Sequence, residues 1–197
     1  MTNQKSAPIN RSATGPFDVS EVENLDQALD FGAIKVIPVE GVEIRVEIEE
    51  STQRVVAITL ELEQSTLQLQ AFAAPKSEGV WNDVRSQLAE SIRSQGGVAE
   101  ERLGSFGLEL FVKLPIQEDG TQVGTRLGRF IGVDGPRWFL RGLIAGAAMA
   151  DSAAASRIES LYRTVAVDRG SEPIPPRELL TLQLPAGVVP PPRGAIA

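Results

Sequence analysis

The chain has 197 residues, 26 acidic side chains against 19 basic ones, a formal net charge of −7, and neither cysteine nor histidine. Without cysteine there are no disulfides, thiol nucleophiles or thiolate metal sites, and without histidine there is no Ser-His-Asp or Cys-His activation and no imidazole ligand. The acidic balance argues against general nucleic-acid binding, which needs basic surface to displace counterions.

Hydrophobic residues make up 42% of the chain and charged residues 23%, the composition of a globular domain with one buried core. Residues 1–17 are small and polar, with Pro8, Gly15 and Pro16, and are expected to form an arm without fixed structure. The N-terminus has no apolar core of signal-peptide length, and no run reaches the roughly 18 apolar residues of a membrane span, so a cytoplasmic protein is expected. Residues 18–40 are an acidic lead-in to a single domain spanning 18–185; from Asp18 to Glu50, ten acids stand against two bases. The spacing of Val22, Leu25 and Leu29 predicts a short amphipathic helix there. The acidity reads either as solvated surface or as a docking segment for a basic partner.

The core begins with alternation. Val42, Ile44, Val46 and Ile48 point one way and Glu43, Arg45, Glu47 and Glu49 the other. A turn at 50–54 leads to Val56, Ile58, Leu60 and Leu62, and a third alternating run covers 66–73, so an antiparallel meander is predicted. Pro75 ends it. Ser77 is the predicted cap of a helix running to about Gln95, buried through Trp81, Val84, Leu88 and Ile92, and stopped by Gly96-Gly97.

Strands follow near 98–102 and 106–114, then an exposed loop over 117–124. Next come two strands, 127–133 and 137–144, folded back at Asp134-Gly135-Pro136. Taken as a two-residue Asp-Gly turn, this pairs Ile131 with Trp138 and Phe130 with Phe139. Trp138, Leu140, Gly142 and Ile144 then alternate into the core, and Arg137, Phe139 and Arg141 share the other face. A second helix is predicted from about Asp151 to Arg163, capped by Asp151 or Ser152, with Ala154, Ile158 and Leu161 on one face. A last strand covers 164–168. The proline-rich remainder is expected to run extended through Leu179, Leu180, Leu182 and Leu184, ending in a tail over 186–197. The fold class is therefore α+β: one mainly antiparallel sheet of about seven or eight strands with two main helices, given the segment count.

Arg129, Arg137 and Arg141, with Phe139 among them, are candidate ligands for a carboxylate, a phosphate or a stacked base. The same arginines can instead pair with neighbouring glutamates and lie along the sheet. Lys76 sits in the small-residue loop Phe72–Trp81, where free helix N–H groups could bind an anion, unless Ser77 caps them and Trp81 fills the core. Gly128, Gly132, Gly135, Gly142 and Gly146 fall in or beside strands, which fits bulges or close approach of a covering element and not a phosphate loop. Glu118-Asp119 and the Glu61, Glu63 pair lack the spacing of a calcium loop and read as solvated. Trp81, Trp138, Ile131 and Leu140 are the predicted core anchors.

The stretches Phe72–Arg85 and Phe130–Gly142, with Pro-Pro-Arg-Glu-Leu-Leu at 175–180, resemble signature segments of an uncharacterised actinobacterial domain-of-unknown-function family, over roughly residues 16–185. Members of that family usually open with a more basic arm than this one. The order of strands and helices is similar to the Mog1/PsbP-like α/β/α sandwich, a fold used mostly by non-enzymatic accessory proteins. The expected function is a non-catalytic protein-interaction or scaffolding domain with an unknown protein partner and no cofactor. A small-anion or nucleotide-binding module built on the hairpin is the alternative. An enzyme using carboxylate, Arg, Lys or Tyr162 chemistry comes last, because no constellation points to one.

Overall fold

Short apolar runs broken by glycine, proline and acidic residues pair only briefly, and the first forty residues fold that way. In the computed structural model, which describes residues 3–186, one helical turn, α1 (Arg11–Thr14), precedes β1 (Phe17–Asp18), β2 (Leu29–Asp30) and β3 (Ile34–Val36). With β11 (Ala166–Val167) they form a four-stranded sheet in the order β1-β11-β3-β2, in which β1 and β11 are parallel. This small sheet is an addition to the single sheet expected from the sequence. The predicted helix over Val22, Leu25 and Leu29 does not form, because Leu29 pairs with Val36 of β3 and the residues before it turn.

The long alternating runs build the main sheet. It comprises β4 (Glu43–Ile48), β5 (Val55–Leu62), β6 (Ser65–Ala73), β7 (Val98–Gly104), β8 (Gly107–Glu118), β9 (Thr121–Asp134) and β10 (Trp138–Gly146). Their order is β4-β5-β6-β10-β9-β8-β7, and every neighbouring pair is antiparallel. The α+β class with two main helices is as expected. On β6, Ser65, Leu67, Leu69, Ala71 and Ala73 are buried and the residues between them are half-buried, a strand with two unequal faces.

One helix covers each face. α3 (Ser152–Thr164), capped by the Asp151 carboxylate, buries Ala154, Ile158, Leu161 and Tyr162 in a cluster with Leu140, Ile131, Trp138 and the small sheet. α2 (Trp81–Ser94) packs on the opposite face against Phe139, Phe130, Leu110 and Val112. Its buried stripe is Trp81, Arg85, Ala89 and Ile92; Val84 and Leu88, expected at its centre, are only half-buried. Gly132 explains how closely the helix approaches: a Cβ there would lie 2.4 Å from the Trp81 ring.

Two turns differ from expectation. The loop predicted over 117–124 is mostly strand, closed by Asp119 and Gly120, both left-handed (φ 50° and 76°) as a two-residue Asp-Gly hairpin turn requires. At the other Asp-Gly the connection is longer. Asp134 pairs with Phe139, Leu140 with Val133 and Gly142 with Ile131, so Ile131 does not face Trp138 and Phe130 does not face Phe139. Pro136 and Arg137 are left in an exposed turn, and Trp138 folds back over Gly135.

The N-terminal residues 3–17 are docked on the core and do not form the free arm expected. Gly79 N–H donates to Asn3 O (2.7 Å), Asp134 N–H donates to Ser6 O (2.8 Å) while Ser6 N–H donates to the Asp134 carboxylate (2.9 Å), and Arg11 pairs with Glu21 (2.5 Å). Composition hides this, because the contacts are made mostly by backbone groups. At the other end, residues 177–182 run beside β6 where β5 has diverged: Leu180 N–H donates to Ala71 O, Arg177 N–H to Ala73 O, and Ala73 N–H to Glu178 O. Leu180 and Leu182 are buried there, as the expected extended run implies. The tail predicted over 186–197 lies, beyond residue 186, outside the described residues.

Candidate functional site

The half of α2 that is not fully packed leaves a groove. Val84 and Leu88 form one wall, Phe72 of β6 and Phe139 and Arg141 of β10 form the floor, and Arg177 of the C-terminal strap stands at the side, around a cleft of about 350 Å³. Phe139 is 1% exposed and stacks between Phe72 and Trp81, each ring 5.8 Å away. Arg141 lies along this floor with its guanidinium 5.4 Å from the Phe72 ring and 5.9 Å from the Phe130 ring. Its polar contact is the Gln70 side-chain carbonyl. Burial pushes the Arg141 guanidinium down from its ordinary value, yet an arginine stays charged.

Arg141 differs from the other buried arginines in what it lacks. Arg85 is bound by Glu101 at 2.8 Å. Arg129 is bound by Glu109 and Glu159, both at 2.6 Å, on the opposite face of the sheet, so it is a structural tie between β8, β9 and α3. Although burial opposes its charge, the bonds and attraction of those two carboxylates hold Arg129 above its ordinary value. Among the described residues, Arg141 has no carboxylate partner, and the groove leaves it approachable.

Of the predicted site residues, only Phe139 and Arg141 come together. Arg129 is buried elsewhere, Arg137 is exposed in the turn, and Lys76 is exposed in its loop. The helix N-terminus beside Lys76 is not open to an anion, because a carboxylate of this chain already occupies it. Asp134 Oδ1 accepts from Val80 N–H (2.8 Å) and Trp81 N–H (3.4 Å), and Oδ2 accepts from Ser6 N–H (2.9 Å). Asp134 therefore caps α2 from more than fifty residues away, in place of the expected Ser77. Lys5 donates to the carbonyls of Gly135 and Pro136 and places its charge nearby. Burial still outweighs the three backbone donors and Lys5, and raises the Asp134 carboxyl above its ordinary value.

Sequence reading missed Phe72, Val84, Leu88 and Arg177 as groove residues. Val84 and Leu88 carry the periodicity of a core stripe, and only the packing of α2 on the sheet shows them to be half-buried. Arg177 could not be placed, since its segment has no period. The acidic lead-in is partly used up internally: Asp18 accepts from the Trp138 indole N–H (2.9 Å) and Asp30 pairs with Lys35 (2.5 Å). Among the described residues, no group of three acidic side chains converges as a metal site would require.

A family model described as "Protein of unknown function (DUF3710)" matches residues 15–190. The chain belongs to the DUF3710 family. The DUF3710 match takes in every groove residue and Asp134, but not Ser6, which bonds to the Asp134 carboxylate, or Lys5, which bonds to the turn after it. No curated protein is a significant match. Among solved structures, the solution structure of cyanobacterial PsbP (CyanoP) from Synechocystis sp. PCC 6803 is similar at a TM-score of 0.40 and 11% identity, over 72% of this chain and 92% of that one. No helix among the described residues is long and apolar enough to cross a membrane.

Proposed function

We propose that this DUF3710 protein is a non-catalytic interaction domain of the cytoplasm whose groove between α2 and β10 receives a partner segment carrying a carboxylate next to an apolar side chain. The observation that supports it most is Arg141, a half-buried cation held between two phenylalanine rings without an acidic partner among the described residues. A carboxylate reaching it would be shielded from water by Phe72 and Phe139, where charge-assisted hydrogen bonds are strong. Val84 and Leu88 supply the apolar wall for the neighbouring side chain. Arg177 at the side is already neutralised by Asp83, so the charge on offer is that of Arg141.

Selection from a displayed random-peptide library should enrich segments with Asp or Glu within a few positions of Leu, Ile or Phe. Those peptides should bind the parent and the Arg137→Gln variant alike and lose at least about tenfold in affinity on Arg141→Gln, the loss of one charge-assisted contact of about 1.5–3 kcal/mol. Enriched peptides without an acid, or binding indifferent to Arg141→Gln, would sink the proposal. A second reading, a small anion or nucleotide, is favoured by the size of the cleft, about 350 Å³, which lies in the range of small-ligand sites. It predicts that inorganic phosphate or a nucleotide raises the melting temperature of the parent but not of Arg141→Gln.

A further inference from the structure

The main sheet ends at β7, whose outer edge has no strand partner among the described residues, although Ala99 O accepts from the Arg93 side chain (2.9 Å). Six of its seven residues are exposed, with Val98 at 51% and Leu103 at 82%. An unpaired strand edge is a template for another strand, and folded proteins usually blunt it with a bulge, proline or inward charge. The opposite edge is blunted in that way. β4 slips in register against β5 between Glu47 and Ile48, the irregularity of a bulge. By contrast, β7 keeps unbroken register with β8 from Val98 to Gly104 and contains no proline.

We propose that β7 pairs antiparallel with β7 of a second copy of this chain, joining two seven-stranded sheets into one continuous sheet about a two-fold axis at Glu101. The register follows from pairing geometry. Opposed residues of an antiparallel pair must present their backbone groups alike, so the two-fold axis falls on a residue and not between two. Centred on Glu101, the whole strand overlaps, Leu103 faces Ala99 of the second copy, and Glu100 faces Arg102 on both sides of the axis. Centring on Glu100 or on Arg102 sets that charge against itself and loses both Glu–Arg pairs, and directly opposed like charges destabilise a sheet.

Pairing moves the Arg93 guanidinium off Ala99 O, which then accepts from Leu103 N–H of the second copy; the side chains on β7 itself are already arranged for it. Arg102 lies 4.7 Å from the Phe111 ring and 2.6 Å from Glu100, on the face where the cross-strand pairs would form. On the other face the two Glu101 side chains meet at the axis, but each is neutralised by its own Arg85 at 2.8 Å. Leu103 would come against Ala99 of the second copy, beside the end of α2 where Ile92 and Ala99 already form an apolar cluster.

Sedimentation velocity of the full chain, loaded from about 1 μM to about 1 mM to cover weak interfaces, should show a monomer–dimer equilibrium. Arg102→Glu places acids opposite acids on both sides of the axis and should weaken association by about tenfold or more. Adding Glu100→Arg to Arg102→Glu rebuilds both pairs with the signs exchanged and should return the parent dimer. All three proteins should melt alike at low concentration, since the altered side chains are exposed. A parent that stays monomeric at the highest loading overturns the proposal. So does a dimer indifferent to Arg102→Glu, or a double variant that associates no better than the single one.

Discussion

Removing the Asp134 carboxylate should loosen two segments far apart in sequence, because the N-terminal residues and the start of α2 both bond to it. In Asp134→Ala the N–H groups of Val80 and Ser6, now bonded at 2.8 and 2.9 Å, lose their acceptors. Hydrogen bonds to a charged group contribute about 1.5–3 kcal/mol each, so the two together contribute about 3–6 kcal/mol. Burial of the carboxylate offsets that gain, as the raised Asp134 carboxyl shows, so the loss is set by the two N–H groups left without an acceptor, about 1–3 kcal/mol each and about 3 kcal/mol together. For a chain of this size 1 kcal/mol shifts the melting temperature by about 2–4 °C, so the midpoint should fall by roughly 6–12 °C. Thermal melting by circular dichroism measures the midpoint, and amide hydrogen exchange over residues 3–8 and 79–84 measures the two segments separately. Both segments should exchange faster together. A midpoint within about 2 °C of the parent, or faster exchange in only one segment, refutes Asp134 as their shared anchor.

The pH dependence of Asp134→Asn has a definite sign. The folded Asp134 carboxyl holds its proton more tightly than the unfolded one, so its contribution is largest below its ordinary value of 3.8 and declines as pH rises through the raised value; the stability gap between parent and Asp134→Asn should narrow over that rise in denaturant titrations. Asp18, Glu21 and Asp30 work the other way. Burial pushes each up, but Ser20 and Trp138 at Asp18, Arg11 at Glu21 and Lys35 at Asp30 hold all three below their ordinary values. Their contribution is whole above the ordinary range of 3.8 to 4.5 and lost as pH falls through the lowered values, so acid should release the small sheet, seen as faster exchange at residues 29–36. Trp138→Ala should lower stability by about 3–5 kcal/mol in denaturant unfolding, because the side chain is fully buried. Arg129→Ala strands the buried Glu109 carboxylate without its cation and should also cost about 3–5 kcal/mol, whereas Arg137→Ala, exposed in a turn, should leave the midpoint unchanged.

Local periodicity made the main sheet legible. The alternations over 42–48, 56–62 and 66–73 lie in β4, β5 and β6, and the face of α3 follows from Ala154, Ile158 and Leu161. What sequence could not carry was any contact made by one side chain to distant backbone. Two Asp-Gly pairs look equivalent in the chain. At 119–120 no side-chain bond to the aspartate occurs among the described residues, and the pair forms the tight turn. At 134–135 the carboxylate is drawn to Val80 and Ser6, and the turn widens. The docking of residues 3–17 was illegible for the same reason, since polar composition reports apolar surface and not backbone pairing. In the groove, Phe139 and Arg141 were legible as a shared face of β10, but its walls depend on how α2 and the C-terminal strap pack on the sheet, which no single segment encodes.

The strap over residues 177–182 also bears on the order in which the molecule can be completed. While a ribosome is still making the chain, the end of β6 emerges about a hundred residues before the segment that pairs with it, at synthesis rates of some 5–20 residues per second. Through that interval Ala71 O and both backbone groups of Ala73 point into open edge, beside the phenylalanines that later line the groove. The groove is therefore among the last surfaces to be finished, and a chain cut short before Arg177 would expose it as a sticky strand edge instead of a binding site.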